Sequence, residues 1–112
     1  MLDNDFNLMH TLPMKQANQN ELNAINWVEA NYPHLLGAEI RFGCTHMPYN
    51  VNGSYYRNQN LICLRRHRQG VRFYVETLVH ELTHSKQLAN NESEAYAAGY
   101  SAGYKFSVNI GG

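Results

Sequence analysis

Residues 70–87, GVRFYVETLVHELTHSKQ, carry the clearest helical pattern in the chain. Five apolar residues of this stretch form one stripe of an α-helix, because the last four follow Val71 by four, seven, eight and eleven positions. The stripe predicts a helix that starts after Gly70 and runs to about Leu88, where the residues ANN can end it. The stripe consists of Val71, Val75, Leu78, Val79 and Leu82.

Two histidines stand four residues apart in this helix, and a glutamate follows the first of them. Because each residue of an α-helix turns about 100°, His84 lies about 40° from His80, and the two imidazole rings share one face. Glu81 lies about 100° from His80, beside that face. Leu78 and Leu82 lie about 160–200° away. The pattern therefore predicts a metal-binding face and a core face on a single helix.

The H-E-x-x-H pattern favours a zinc site over a surface helix with two incidental histidines. A chain of this composition is expected to contain the pattern about 0.02 times by chance. A catalytic zinc takes three protein ligands and keeps a fourth position for water, whose pKa falls to about 7. Glu81 can accept the proton of that water. The third ligand lies outside the motif, and Glu92 and Glu94 are the candidates downstream.

Two more helices and three short strands are predicted around this segment. Residues 1–17 are expected to form an irregular arm, and apolar spacing predicts a helix over about residues 20–31 that Pro33 ends. The last helix, ESEAYAAGYSAGYKF, begins with two acids, which suits the positive end of its dipole. The strands are AEIRF at 38–42, a segment beginning at Tyr55, and LICL at 61–64.

The turn signals between these strands predict hairpins. Asn52 and Gly53 form one such signal and RNQN another, so we expect a small antiparallel sheet of about three strands. The chain has 112 residues and a hydrophobic content of 44%, which fits one folded domain over residues 1–112. The predicted class is α+β, with a helix before the sheet and two helices after it.

Composition also limits the partners and the location that we expect. The formal net charge of +0 gives no general attraction to nucleic acids or membranes. No apolar run approaches the roughly 20 residues of a membrane helix. The first ten residues carry acids where an export signal has bases, so we expect a cytoplasmic protein. In that compartment Cys44 and Cys63 are expected to be free thiols rather than a disulfide.

The stretch LVHELTHSKQ, followed by ESEAY, resembles the zincin metallopeptidases of the glutamate-ligand type. The resemblance covers about residues 37–105 and is closest to minimal domains encoded by phages and bacteria. It implies one Zn²⁺ per chain held by His80, His84 and Glu92, with Glu94 as the alternative third ligand. It also implies that the zinc-activated water hydrolyses a peptide bond, with Glu81 as the general base.

The same resemblance assigns a substrate-binding strand. GSYYRNQNLICLRRH is similar to the strand–turn–strand that precedes the active helix of those peptidases. In that fold the second strand is the edge along which an extended peptide lies. The residues implied to bind substrate are Leu61, Ile62, Cys63 and Leu64.

Tyr96, Tyr100 and Tyr104 recur every four residues in the last helix. Such a stripe is typical of a core face, which is the reading we favour for it. The alternative is that Tyr96 or Tyr100 stands beside the histidines and donates a hydrogen bond to the oxyanion of a tetrahedral intermediate.

The segment LRRHRQGVR is rich in arginine, with Arg65, Arg66, Arg68 and Arg72. We expect a solvated loop. The alternative is a patch for an acidic partner or single-stranded nucleic acid, with Tyr55 or Tyr56 stacking on bases. On that reading the chain is a zincin-like binding or regulatory protein of the antirestriction or DNA-associated kind.

A fourth protein ligand is a further alternative for the zinc site. Cys44 or His46 could occupy the open position, which would make the zinc structural or hold the enzyme latent. A free cysteine is more often a small buried hydrophobe, so we favour the open site.

Overall fold

The computed structural model describes residues 17–44, 47–48, 50–66 and 70–111. The predicted α+β class is confirmed, since three helices and a three-stranded sheet are present in these residues. Residues 1–16, nearly all of the predicted arm, lie outside the described part. The elements in order are helix α1 (Gln19–Asn31), a 3-10 turn (Pro33–Leu35), strands β1 (Glu39–Phe42), β2 (Gly53–Tyr56) and β3 (Leu61–Leu64), and helices α2 (Val71–Ser85) and α3 (Glu92–Gly111).

The sheet is mixed, with the strand order β1-β3-β2. β3 pairs antiparallel with β2 through a tight turn, as predicted, but it pairs parallel with β1. The prediction of an all-antiparallel sheet is therefore wrong for β1. The reason lies in β3, whose four residues are all apolar, as in a strand buried on both faces. Such a strand is most stable in the centre of a sheet, where it has a neighbouring strand on each side.

β3 is consequently not an edge strand. Leu61, Ile62, Cys63 and Leu64 are at most 1% exposed, and both edges of the strand are hydrogen-bonded to neighbours. The prediction that these four residues bind an extended substrate is wrong, because they present neither a free edge nor an accessible side chain. Among the described strands, β1 and β2 lie at the edges of the sheet.

Helix α2 lies at the centre of the domain and contacts α1, the sheet and α3. Its predicted apolar stripe is confirmed, since four of the five residues are buried in the main core. On the other side, α3 approaches α2 through small residues. A Cβ atom at Gly99 would lie 2.6 Å from the backbone oxygen of Glu76 and 3.3 Å from Cβ of His80. The close approach of these two helices therefore requires glycine there.

Cys44 and Cys63 form a disulfide, with Cα atoms 5.8 Å apart. The prediction of free thiols is therefore wrong. Cys63 lies in β3, and Cys44 follows β1, so the bond ties the connection between β1 and β2 to the central strand. Both residues are buried.

Candidate metal centre

The two histidines of α2 share a face, as their spacing predicts. The ring centroids of His80 and His84 lie 4.9 Å apart, and both side chains are largely buried. Leu78 and Leu82, on the opposite side of the helix, are buried in the core. The helix therefore separates a polar face from a core face.

Glu92, the first residue of α3, brings its carboxylate to both histidines. Its Oε1 atom lies 3.2 Å from Nε2 of His80 and 3.0 Å from Nε2 of His84. The alternative residue, Glu94, is oriented differently, because its Oε1 atom accepts a hydrogen bond from Nε2 of Gln87 at 2.7 Å. The structure thus places Glu92, rather than Glu94, beside the histidine pair.

These three side chains fit a metal ion. One donor atom from each lies within 4.8 Å of the other two. Ligands about 2.0 Å from a tetrahedral zinc are separated by about 3.3 Å, close to the two histidine–glutamate distances. Two imidazoles and one carboxylate are also a donor set used by catalytic zinc sites. His80, His84 and Glu92 could therefore hold Zn²⁺ without a large rearrangement.

Burial and mutual contacts shift the pKa values of two of these side chains. Burial lowers the pKa of the His80 imidazole, and the neighbouring His84 lowers it further, against the opposing effect of Glu92. Partial burial opposes ionisation of Glu92, but the hydrogen bonds and charges of the two histidines outweigh it, so the pKa of Glu92 is lowered. A neutral imidazole and an ionised carboxylate are the ligand forms that a metal requires.

Glu81 lies beside this cluster and is only 7% exposed. Burial raises its pKa to about 7, with a smaller opposing effect of His84 and a further increase from Glu92. A carboxyl group whose pKa lies near neutrality can exchange a proton with a bound water at physiological pH. This environment fits the sequence prediction of a base at this position.

A cavity of about 690 Å³ opens over the cluster. Helix α2 forms its floor, while α3 and the region of β2 form its walls. Both histidines, Glu81 and Glu92 line it. The other lining residues are Asn50, Val51, Asn52, Gly53, Ser54, Tyr55, Arg57, Phe73, Glu76, Thr77, Tyr96, Gly99 and Tyr100.

The tyrosines of α3 are exposed, so the expectation of a core stripe is wrong. Tyr96 and Tyr100 are each 67% exposed and Tyr104 is 60% exposed. Small residues of α3 face α2 instead, among them the buried Ala95 and Ala102. The rings of Tyr96 and His80 pack at a steep angle, with their centroids 4.5 Å apart. Of the two tyrosines named in the alternative prediction, Tyr96 contacts His80 and Tyr100 lines the same cavity.

The described arginines of the predicted basic segment are occupied within the chain, which weakens the idea of a binding patch. Arg68 and His67 lie outside the described residues. Arg65 donates to the carbonyl oxygens of Val51 and Pro48, Arg66 to both carboxylate oxygens of the buried Glu21, and Arg72 to Glu76 and Ser107.

Cys44 is unavailable as a fourth ligand, because its sulfur is bonded to Cys63. His46, the other residue considered for the open position, lies outside the described residues. Within the described part, the group that can hold a metal consists of His80, His84 and Glu92.

Sequence reasoning missed two features of the site. The first is the wall formed by β2 and the residues before it, which brings Asn52 and Tyr55 to the cavity. The second is Gln87, whose Oε1 atom lies 2.8 Å from Nδ1 of His84. Helical spacing gave no reliable signal for Gln87, because this residue follows the end of α2 at Ser85.

Comparison of the chain with protein-family models, curated proteins and solved structures finds no match. Within the described residues, no helix is long and apolar enough to cross a membrane.

Proposed function

We propose that this chain is a zinc-dependent metallopeptidase of the glutamate-ligand zincin type. One observation carries the proposal. His80, His84 and Glu92 meet at one point of a cavity, with the buried Glu81 beside them. A structural zinc site needs a fourth protein ligand, and it has no use for a buried carboxylate at its edge. A hydrolytic site needs both an open position and a base.

His80 and His84 would bind the zinc ion through Nε2, and Glu92 would bind it through its carboxylate. A zinc ion held in this way supplies a water of lowered pKa and polarises the substrate carbonyl. Glu81 takes a proton from the attacking water and passes it to the leaving nitrogen. Tyr96 and Tyr100 line the same cavity, and their hydroxyl groups are the donors that we assign to the oxyanion.

The substrate is an extended peptide, and β2 is the strand that we assign to its binding. Among the described strands, β2 lies at an edge of the sheet, with β3 on one side and no described strand on the other. Gly53, Ser54 and Tyr55 line the cavity. An edge strand offers backbone donors and acceptors to a peptide that adds as another strand. Gly53 also lets β2 lie close to α2, since a Cβ there would lie 2.8 Å from Cγ2 of Thr77.

Observations in the structure count against two related predictions. A regulatory protein that uses Arg65, Arg66 and Arg72 is not favoured, because these arginines have partners within the chain. A location in the cytoplasm of a bacterial or phage-infected cell remains a prediction. The Cys44–Cys63 disulfide counts against it, because such bonds persist mainly in oxidising compartments.

Cleavage of an unstructured protein by the zinc-loaded chain tests the proposal. We expect Glu81→Gln to retain zinc and to lose about 10²–10⁴-fold in rate. The matched control is Glu29→Gln, which changes an exposed glutamate of α1. Zinc-loaded wild type without peptidase activity, or cleavage that is equal in wild type and Glu81→Gln, would refute the proposal.

A further inference from the structure

Each ring nitrogen of His84 faces a different acceptor. Nε2 faces the Glu92 carboxylate at 3.0 Å, and Nδ1 lies 2.8 Å from Oε1 of Gln87. Nε2 is the atom that the proposed centre offers to the metal. Gln87 therefore holds the opposite side of the same ring.

The orientation of the Gln87 amide is fixed by the backbone of Asn91. Oε1 of Gln87 accepts from the N–H of Asn91 at 3.1 Å, and Nε2 donates to the carbonyl oxygen of Asn91 at 2.9 Å. Nε2 also donates to Oε1 of Glu94 at 2.7 Å. A backbone N–H can only donate and a carbonyl can only accept, so exchanging the amide oxygen and nitrogen would break all three bonds.

An acceptor at Nδ1 determines which nitrogen of His84 is left for the metal. Because Oε1 of Gln87 can only accept, Nδ1 must carry the proton in that hydrogen bond. We propose that Gln87 is a positioning residue that fixes the ring orientation and the Nδ1–H tautomer of His84, so that Nε2 binds the metal. This inference rests on the metal centre proposed above.

The same amide connects two of the three ligands. Asn91, which it binds through both backbone groups, directly precedes Glu92. Gln87 therefore orients His84 from one side and fixes the backbone next to Glu92 from the other. Removal of the Gln87 amide is expected to act on His84 through Oε1, and on Glu92 through the turn formed by residues 86–91. Two substitutions separate these effects.

Gln87→Met keeps the length of the side chain and removes its acceptor and its donors. In the full chain we expect the zinc dissociation constant, measured by competition with a chromophoric chelator, to rise about 10–100-fold. The matched control is Gln19→Met, which removes an exposed hydrogen bond to Asn23 in α1. Equal zinc affinity in Gln87→Met and Gln19→Met would overturn the inference.

Gln87→Glu separates orientation of His84 from stabilisation of the turn. A carboxylate still accepts from Nδ1–H, but it cannot donate to Asn91 or Glu94. We expect zinc affinity to return to within about threefold of wild type, while the metal-free protein melts at a lower temperature, as Gln87→Met does. If Gln87→Glu binds zinc as weakly as Gln87→Met, Gln87 acts only through the turn and the positioning role is refuted.

Failure of the metal centre can be distinguished from failure of this inference. A wild-type chain that binds no zinc would overturn the centre, and the inference with it. A wild-type chain that binds zinc, together with an unchanged Gln87→Met variant, would overturn the role of Gln87 alone.

Discussion

Oε1 of Glu92 lies 3.0 Å from Nε2 of His84, although the two residues belong to different helices. His84 lies in the last turn of α2, Glu92 is the first residue of α3, and the chain reverses within residues 86–91. The candidate site therefore depends on a short turn as much as on the H-E-x-x-H helix.

Glu92 and Glu94 are expected to differ in their effect on zinc binding. Glu92→Ala removes the carboxylate beside both histidines. We expect zinc affinity to fall by more than about 100-fold, which exceeds the loss caused by removing a residue that only hydrogen-bonds a metal ligand. Glu94→Ala leaves the cluster intact and is expected to cost less than about tenfold. Chelator competition measures both. A larger loss in Glu94→Ala than in Glu92→Ala would contradict the assignment.

The buried Glu81 is expected to make the metal-free protein less stable as the pH rises. Its pKa is about 7 in the folded chain, whereas a glutamate in an unfolded chain titrates near about 4.3. Between these values the folded protein holds a proton that the unfolded chain releases, so the free energy of unfolding falls with rising pH. We expect Glu81→Gln to gain on the order of 3 kcal/mol relative to wild type between about pH 4.5 and 7.5.

Denaturant unfolding of metal-free protein across this pH range measures the Glu81 effect. Glu29→Gln serves as the control, because this glutamate is exposed on α1, and its difference from wild type should change little with pH. A pH-independent difference between wild type and Glu81→Gln would show that Glu81 ionises in the folded chain as it does in water.

Gly99→Ala is expected to push α3 away from α2. The added Cβ would lie 2.6 Å from the backbone oxygen of Glu76, and this oxygen cannot move away without distorting helix α2. We expect the free energy of unfolding to fall by about 1–3 kcal/mol, in spite of the higher helix propensity of alanine. Zinc affinity should fall as well, because α3 carries Glu92. Ser101→Ala, at an exposed position of the same helix, is the control, and equal stability of the two variants would contradict this packing.

The Cys44–Cys63 disulfide is expected to stabilise the domain. The two residues are 19 positions apart, and closing a loop of that length corresponds to about 3 kcal/mol. A reductant should lower the free energy of unfolding of wild type by about this amount. The double variant Cys44→Ala/Cys63→Ala should not respond to the reductant. Full reduction of wild type without a change in stability would refute the prediction.

Local pattern was sufficient to predict the three helices and the polar face of α2, although α2 ends at Ser85 rather than near Leu88. The spacing of His80, Glu81 and His84 sets their relative directions on any α-helix, so these directions follow from the chain itself. The turn signal RNQN likewise predicted the antiparallel pair of β2 and β3. What local pattern leaves undetermined is which elements become neighbours. The parallel pairing of β1 with β3 and the central position of β3 depend on burial of the whole sheet.

The choice between Glu92 and Glu94 also depended on tertiary structure. Both acids suit the first turn of a helix equally well, and only the geometry of residues 86–91 turns Glu92 towards the histidines. The exposure of Tyr96 and Tyr100 had a related cause. Small residues on the other face of α3 allow close contact with α2, and a periodic stripe alone does not tell which face packs.

The most direct test of the central claim is anomalous diffraction at the zinc edge from crystals of the zinc-loaded protein. We expect one peak about 2.0–2.2 Å from Nε2 of His80, Nε2 of His84 and the Glu92 carboxylate. We also expect a water or a substrate atom in the fourth position, on the side of Glu81. A peak elsewhere, no peak, or a fourth protein ligand in the open position would contradict the account.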